Sequence, residues 1–323
     1  MKYLLRRLLH IIFLLVGVSA LSFAFLAVAP GNFLDDMRLN PQVSPDTVAA
    51  LRVQYGLDRP VAVRYLRWIE ALFHGNLGYS FAYNQPTIDL LLPRARNTLE
   101  LTATATAIAW LLALPIGIWV AAHPKGFADR CLSVGTAALL GIPDLLLLLL
   151  LVLGAAYTNR LPAGGMTSVD YDSLVPIQKV KDLAAHFLLP VSVLILGTLP
   201  TLLRHIRAAV AKSLGEPFLT AGTGHGISKN RLLFRYALPI AANPLISLFG
   251  FSVGALLSMS LLIEVVLGWP GLGPLLLEAI LSRDVYVVIG AVMCSSLFLV
   301  AGVSLSDLLL YWHDPRIRMG HKA

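Results

Sequence analysis

Charge is the scarcest thing in this chain. Lysine and arginine number 25 and aspartate and glutamate 18 among 323 residues, so charged residues make up 13%, against about 25% in an average soluble protein. Hydrophobic residues reach 57% and mean hydropathy is +0.75. So few charges cannot cover so much apolar side chain in water, which excludes an ordinary soluble domain. Hydrophobicity this high also excludes disorder. Cysteine is nearly absent. Cys131 and Cys294 offer no CxxC pair, zinc spacing or disulfide framework, and their apolar surroundings predict small buried hydrophobes. The eight histidines are scattered without an i, i+4 pair, so no metal site is expected. There is no G-x-x-x-x-G-K-[ST] phosphate loop and no H-E-x-x-H. No nucleotide, catalytic residue or bound cofactor is therefore expected of the chain itself.

What the chain has is long apolar runs. A bilayer core needs about 20 apolar residues in helix. Six stretches approach or exceed this: Leu8–Ala29, Thr98–Ala122, Leu132–Ala156, Phe187–Leu203, Ile240–Val266 and Tyr286–Trp312. They are continuous rather than alternating, which favours helices over a barrel. The fourth is short, and its helix is expected to continue past Arg204. The first resembles a signal peptide in its basic start and its Ala27-Val28-Ala29 triplet. Its apolar run is too long for one, and Pro30 follows the triplet, so an uncleaved anchor over 1–29 is expected.

The basic residues orient the spans. With both termini cytoplasmic, the inner segments 1–7, 123–131, 204–239 and 313–323 hold 14 basic residues and three acidic ones, Asp129, Glu216 and Asp314. The outer segments hold 11 of each. The positive-inside rule selects this orientation. The net charge of +7 then belongs to the inner membrane face, and no nucleic-acid partner is implied.

Two connections are too long for turns. Residues 30–97 form an extracytoplasmic loop region. Within it Ser44-Pro45-Asp46 starts a helix over Thr47–Tyr55 that Gly56 ends, and Pro60 precedes an amphipathic helix over Val61–Phe73. The remaining 98–323 forms a five-helix core with a cytoplasmic connector over 204–239, a surface suited to a partner protein. Within the core, Gly250-Phe251-Ser252-Val253-Gly254 fits the G-x-S-x-G nucleophile elbow. That motif needs a strand-to-helix turn, whereas here it lies inside an apolar helix and reads as small-xxx-small packing. Intramembrane carboxylates are functional candidates. Glu264 caps the turn before Gly268-Trp269-Pro270 or binds a ligand's amino group. Asp144 lines a pore, pairs with an arginine of another subunit, or is protonated.

The connector carries a resemblance. Glu216–Pro239 resembles the cytoplasmic EAA loop of the membrane subunits of bacterial ABC importers, which reads Glu-Ala-Ala, three residues, Gly, nine residues, Ile-x-Leu-Pro. Thr220-Ala221-Gly222 stands at the triplet, Gly226 at the glycine and Tyr236-Ala237-Leu238-Pro239 at the end. Tyr55-Gly56-Leu57-Asp58-Arg59-Pro60, Gly75-Asn76-Leu77-Gly78-Tyr79-Ser80, Asn97-Thr98-Leu99-Glu100-Leu101, Gly268-Trp269-Pro270-Gly271-Leu272-Gly273, Arg283-Asp284-Val285-Tyr286 and Asp314-Pro315-Arg316 are similar to the dipeptide/oligopeptide/nickel permease branch. The resemblance runs nearly end to end.

That resemblance implies an all-α membrane protein with six transmembrane helices and the type I ABC importer fold, in the bacterial cytoplasmic membrane. It implies a sister permease in a heterodimer, two cytoplasmic ATPases that hydrolyse the ATP, an extracytoplasmic binding protein, and surrounding lipid. Glu216, Phe218, Leu219, Thr220, Ala221, Gly222, Gly226 and Pro239 would form the ATPase-docking segment. Phe218 and Leu219 would be its apolar anchors, and Gly226 would permit the turn that ends its helix. Asp144, Glu264 and Ser252 are the translocation-path candidates. The chain departs from the branch at Gly222 and Gly224, each costing a helix about 1 kcal/mol relative to Ala, so a weakened coupling helix is expected. It departs again at Asp144, where the branch has a small polar residue. Two rival classes are an ion-gradient secondary transporter and a membrane enzyme pairing Ser252 with His205.

Overall fold

A computed structural model describes residues 2–28, 44–54, 56 and 58–314. The expected features at Ala29, Pro30, Tyr55, Leu57, Pro315, Arg316, Arg318 and Lys322 lie outside the described residues. The described chain is mostly helical, and its strand structure among the described residues is one two-residue hairpin pairing, β1 (Tyr79–Ser80) with β2 (Gln85–Pro86). Helix α1 covers Lys2–Val28, α2 Pro45–Gln54 and α3 Val61–Phe73. Both loop helices fall where the proline and cap signals put them. The Ser44 hydroxyl accepts from the Thr47 N–H, and Gly56 takes the left-handed conformation just past α2.

Downstream of β2 run α4 (Thr87–Ala122), α5 (Phe127–Leu140), α6 (Asp144–Thr158), α7 (Pro176–Leu214), α8 (Pro217–Gly224) and α9 (Lys229–Leu232). A π-helical turn, Leu233–Ala237, leads into α10 (Leu238–Leu267), which precedes α11 (Leu272–Leu281) and α12 (Val285–His313). Five helices are long and apolar enough to cross a membrane, or six if α5 and α6 together make one broken span. The third expected span is therefore corrected. Leu132–Ala156 is not one continuous helix but two, bent by 96° at Gly141-Ile142-Pro143. Pro143 has no N–H to continue the ladder of α5 and restricts the residue before it. Neither 14-residue α5 nor 15-residue α6 reaches across about 30 Å of hydrocarbon alone. The fourth helix extends past Arg204 to Leu214 as expected and also begins earlier, at Pro176.

The chain forms two compact units, Met1–Leu99 with Pro270–Phe298 and Glu100–Trp269 with Leu299–Ala323. The expected boundary at 97/98 falls within α4. In the first unit Phe23, Trp68 and Ile289 form a buried cluster, and the Trp68 indole donates to the Leu77 carbonyl at 3.1 Å. Asp284, wholly buried, accepts from the Ser80 hydroxyl at 2.6 Å and the Ala82 N–H at 3.1 Å. It thereby ties the hairpin to the start of α12. Asn97 donates to the Pro270 carbonyl at 2.8 Å, and the Leu272 N–H donates to the Thr98 hydroxyl at 2.8 Å. Those bonds explain why Asn97-Thr98 and Pro270-Gly271-Leu272 occur together in one sequence.

In the second unit, Leu148, Leu194, Leu256 and Trp269 belong to one apolar cluster, and Leu202, Ile206 and Ala241 to another. The Gly250/Gly254 pattern packs α10 against α12. A Cβ on Gly250 would stand 2.8 Å from that of Ser306, and one on Gly302 would stand 2.4 Å from Val253. The Ser306 hydroxyl bonds the Ile246 carbonyl across this seam. The reading of both cysteines as buried is corrected: Cys131 is exposed and Cys294 half-buried.

Candidate functional site

The break before α6 creates the first candidate site. It leaves Asp144 in the first turn of α6, where a carboxylate is favoured by the helix dipole. Asp144, Gly197, Thr198, Thr201, Ser252 and Met259 are among the lining of a cavity of about 150 Å3. Two of the three translocation-path candidates thus meet in one place. Gly197 keeps the cavity open, because a Cβ there would come within 2.4 Å of the Met259 methyl and 3.3 Å of Asp144 Oδ1. The third candidate, Glu264, does not line this cavity. Its side chain is 0% exposed. Its carbonyl accepts from the Trp269 N–H at 2.9 Å, beside Gly268 in the left-handed conformation that ends α10.

Ser252 is not a nucleophile in waiting. It lies inside α10, donates to the Phe249 carbonyl at 2.7 Å and accepts from the Trp110 indole at 3.0 Å. His205 Nδ1 lies 2.8 Å from the Thr201 carbonyl, one α-helical turn back on its own helix. The Ser252–His205 pair is therefore not assembled.

A second cavity, about 610 Å3, is lined among others by Thr136, Thr201, Arg204, His205 and Arg207. It shares Thr201 with the first. Gly197, Thr198, Thr201, Arg204, His205 and Ala208 recur at three- and four-residue spacing along one face of α7. This stripe of small, hydroxyl and basic residues was legible as a polar face on an apolar helix, but a hydropathy average hides it. Arg207 grips Asp129 through two contacts, Nε at 2.6 Å and Nη2 at 3.0 Å, and the Lys125 N–H adds a third at 3.0 Å. One charge-assisted hydrogen bond and a close ion-pair contact fix the α4–α5 connection to α7.

The other candidate site is α8. Glu216 is its N-cap residue and Pro217 opens it, where a missing N–H costs nothing. Gly226, at φ +78°, lets the chain leave, with its N–H bonded to Thr223 and that of Ile227 to Gly222. Phe218 is 52% exposed and Leu219 3%. The expected pair of docking anchors is therefore split. Leu219 turns inward onto Leu232 and Ala237 and holds α8 to its own chain, while Phe218 faces outward. Gly222 is buried as well, with a Cβ position only 2.9 Å from Leu232 Cδ2, so its lack of a side chain permits close packing. Thr220, Ala221 and Pro239 are exposed. Phe234 and Tyr236 are exposed aromatics of the π-helical turn; sequence reasoning placed Tyr236 at the end of the EAA pattern and passed over Phe234. Leu232, Leu233 and Ala237 are buried while Phe234, Arg235 and Tyr236 between them are exposed, a facing that the run of apolar residues does not reveal.

Comparison with known proteins places these features. The family described as "Binding-protein-dependent transport system inner membrane component" matches residues 113–319, and its N-terminal companion matches residues 1–102. The dipeptide transport system permease protein DppB of Escherichia coli K12 is 31% identical over 339 residues, covering 98% of this chain and 99% of that one. The oligopeptide transport system permease protein AppB of Bacillus subtilis is 28% identical, with 98% of each covered. The nickel import system permease protein NikB of Staphylococcus aureus is 28% identical, covering 98% of this chain and 92% of that one. These matches lend no support to an ion-gradient carrier. The chain belongs to the family of binding-protein-dependent transport system inner membrane components: it is a multi-pass inner-membrane permease subunit of an ABC importer, and not an enzyme.

Proposed function

We propose that this permease passes peptides inward by alternating access, with both termini in the cytoplasm and with α8 seated on a cytoplasmic ATPase. A sister permease completes the pathway as a heterodimer, two ATPases hydrolyse the ATP, and an extracytoplasmic protein delivers the substrate. The names of the relatives DppB and AppB support a peptide cargo. The excess of basic residues in 1–7, 123–131, 204–239 and 313–323 supports the orientation. The observation that carries the coupling role is the split of Phe218 from Leu219. One neighbour is spent on holding the short helix down, and the other stands out as an exposed aromatic, the side-chain type that dominates protein contacts.

In this reading Glu216, Thr220, Ala221, Gly226 and Pro239 shape the docking segment around Phe218. Asp144 and Ser252 mark the path. The Asp144 carboxylate meets the ammonium end of a passing peptide, the hydroxyls of Thr198 and Thr201 offer exchangeable hydrogen bonds, and Ser252 shapes the wall. Glu264 stands outside the path, since its side chain has no exposed surface.

The decisive experiment is Phe218→Ala in the reconstituted complex. ATPase co-purification and ATP-driven peptide uptake are expected to fall about tenfold, the effect of losing one interface anchor, while thermal unfolding of the permease is unchanged. Unchanged co-purification and uptake would overturn the docking role. Asp144→Asn should lower uptake of peptides with a free amino terminus more than that of N-acetylated ones. An equal effect on both would remove Asp144 from substrate contact.

A further inference from the structure

In the first unit a second charged cavity has no role in the scheme above. Arg59, Arg64 and Arg67 line a space of about 220 Å3 together with Trp68, Asn76 and Tyr286. Among the described residues no carboxylate pairs with any of the three guanidinium groups. Asp58 and Glu70, the acidic residues beside them in sequence, are exposed and take no part. Arg64 Nε is buried with no hydrogen-bond partner. Arg64 is half-buried while Arg59 and Arg67 are exposed, so the buried Arg64 donor is the costly one until an acceptor reaches it, and the two guanidinium groups beside it favour an anion in that place. Guanidinium forks match phosphate oxygens two at a time.

The surroundings select the source of the phosphate. Arg64 and Arg67 stand on α3, which also exposes Val61, Val63, Leu66 and Phe73. The same helix is held against α1, a candidate membrane span. Tyr65 donates to the Val16 carbonyl at 3.2 Å, and the Phe23 and Trp68 rings lie 5.4 Å apart. A helix with arginines and exposed aliphatic side chains, docked on a span, has the composition of an interfacial element. An acidic protein surface would satisfy the arginines but would leave Val63 and Leu66 uncovered. A phospholipid satisfies both.

We propose that the Arg59–Arg64–Arg67 cavity binds the phosphate headgroup of a membrane phospholipid whose acyl chains cover the exposed aliphatic face of α3. Inorganic phosphate shares the headgroup chemistry but lacks the chains. The test uses the purified complete complex, titrated with dioctanoyl phosphatidylglycerol and, separately, with inorganic phosphate, and read by native mass spectrometry and by thermal unfolding. The lipid is expected to bind and raise the unfolding temperature, and phosphate at equal concentration is expected to do neither. The Arg64→Gln/Arg67→Gln variant should bind the lipid at least about tenfold more weakly, as expected for losing charge-assisted bonds.

Equal stabilisation by phosphate would overturn the lipid assignment. Unchanged lipid binding in the variant would overturn the site, and if the variant's affinity for its binding protein fell instead, an acidic protein face would be the occupant. Should the variant not assemble, a photo-crosslinking residue in place of Leu66, with all three arginines kept, is expected to capture phospholipid from native membranes. Protein adducts alone would overturn the proposal.

Discussion

The Asp284 latch and the α8 segment are both short structures beside long helices, and they are held by opposite means. At the latch a wholly buried carboxylate accepts from Ser80 and Ala82. At α8 the hold is apolar and small, with Leu219 set against Leu232 and Ala237 and Gly222 allowing the approach. Hydrogen bonds to a buried charge are directional and costly to break, so the latch has one geometry. A few apolar contacts are non-directional, so they hold α8 with less specific geometry than the latch has. The first device suits a fixed reference, and the second suits the coupling role proposed for α8.

Substitutions can break this contrast. Asp284→Ala should have the largest effect, about 3 kcal/mol or more, because the Ser80 hydroxyl and the Val287 N–H are left buried without an acceptor. Loss of folded protein in a detergent-stability assay would show it, and a change under 1 kcal/mol would mean that the latch is not rigidified by its charge. Leu219→Ala should cost about 2–3 kcal/mol locally. Hydrogen exchange should then speed up over 217–237 alone, whereas exchange rising through the whole chain would show α8 to be a pillar of the fold. Gly224→Ala should act in the other direction. Nothing lies within 4 Å of a Cβ at that position, so α8 should gain up to about 1 kcal/mol, read as slower exchange over 217–224.

Tyr83→Phe is the smallest effect. The Tyr83 hydroxyl is pushed up to about 12, chiefly by burial and then by its hydrogen bond to Glu278. Its protonated form is thus favoured in the fold. The contribution is complete below the ordinary phenol value of about 10 and is lost as pH rises through about 12. Glu278 is exposed, so the effect should stay under about 0.5 kcal/mol. The gap in unfolding temperature between wild type and variant should close between pH 10 and pH 12, and a gap that widens there would reverse the assignment.

Much of the architecture was legible because its signals are local. Ser44, Gly56 and Pro60 bounded both loop helices. The apolar runs located the spans, although hydropathy saw only the part of α4 that is apolar and missed its start at Thr87, where Asp89, Arg94 and Arg96 lie. The bend at Gly141-Ile142-Pro143 was hidden for a related reason: an apolar window averages across a break. Leu219 was misread because α8 has eight residues. Two turns carry too little periodicity to say which of two adjacent apolar side chains faces in.

By itself the sequence determined that the chain lives in a membrane, where its apolar runs lie and where its connector resembles an ATPase-docking loop. Hydropathy, charge placement and motif spacing are properties of neighbours along the chain. Only the tertiary structure decided that Asp144 and Ser252 share a cavity while Glu264 is sealed away, that Leu219 faces inward, and that three arginines converge on one space with no carboxylate paired to them among the described residues. Each of these depends on which helix faces pack together, and residues up to 108 positions apart, as Asp144 and Ser252 are, have no local signal of their meeting.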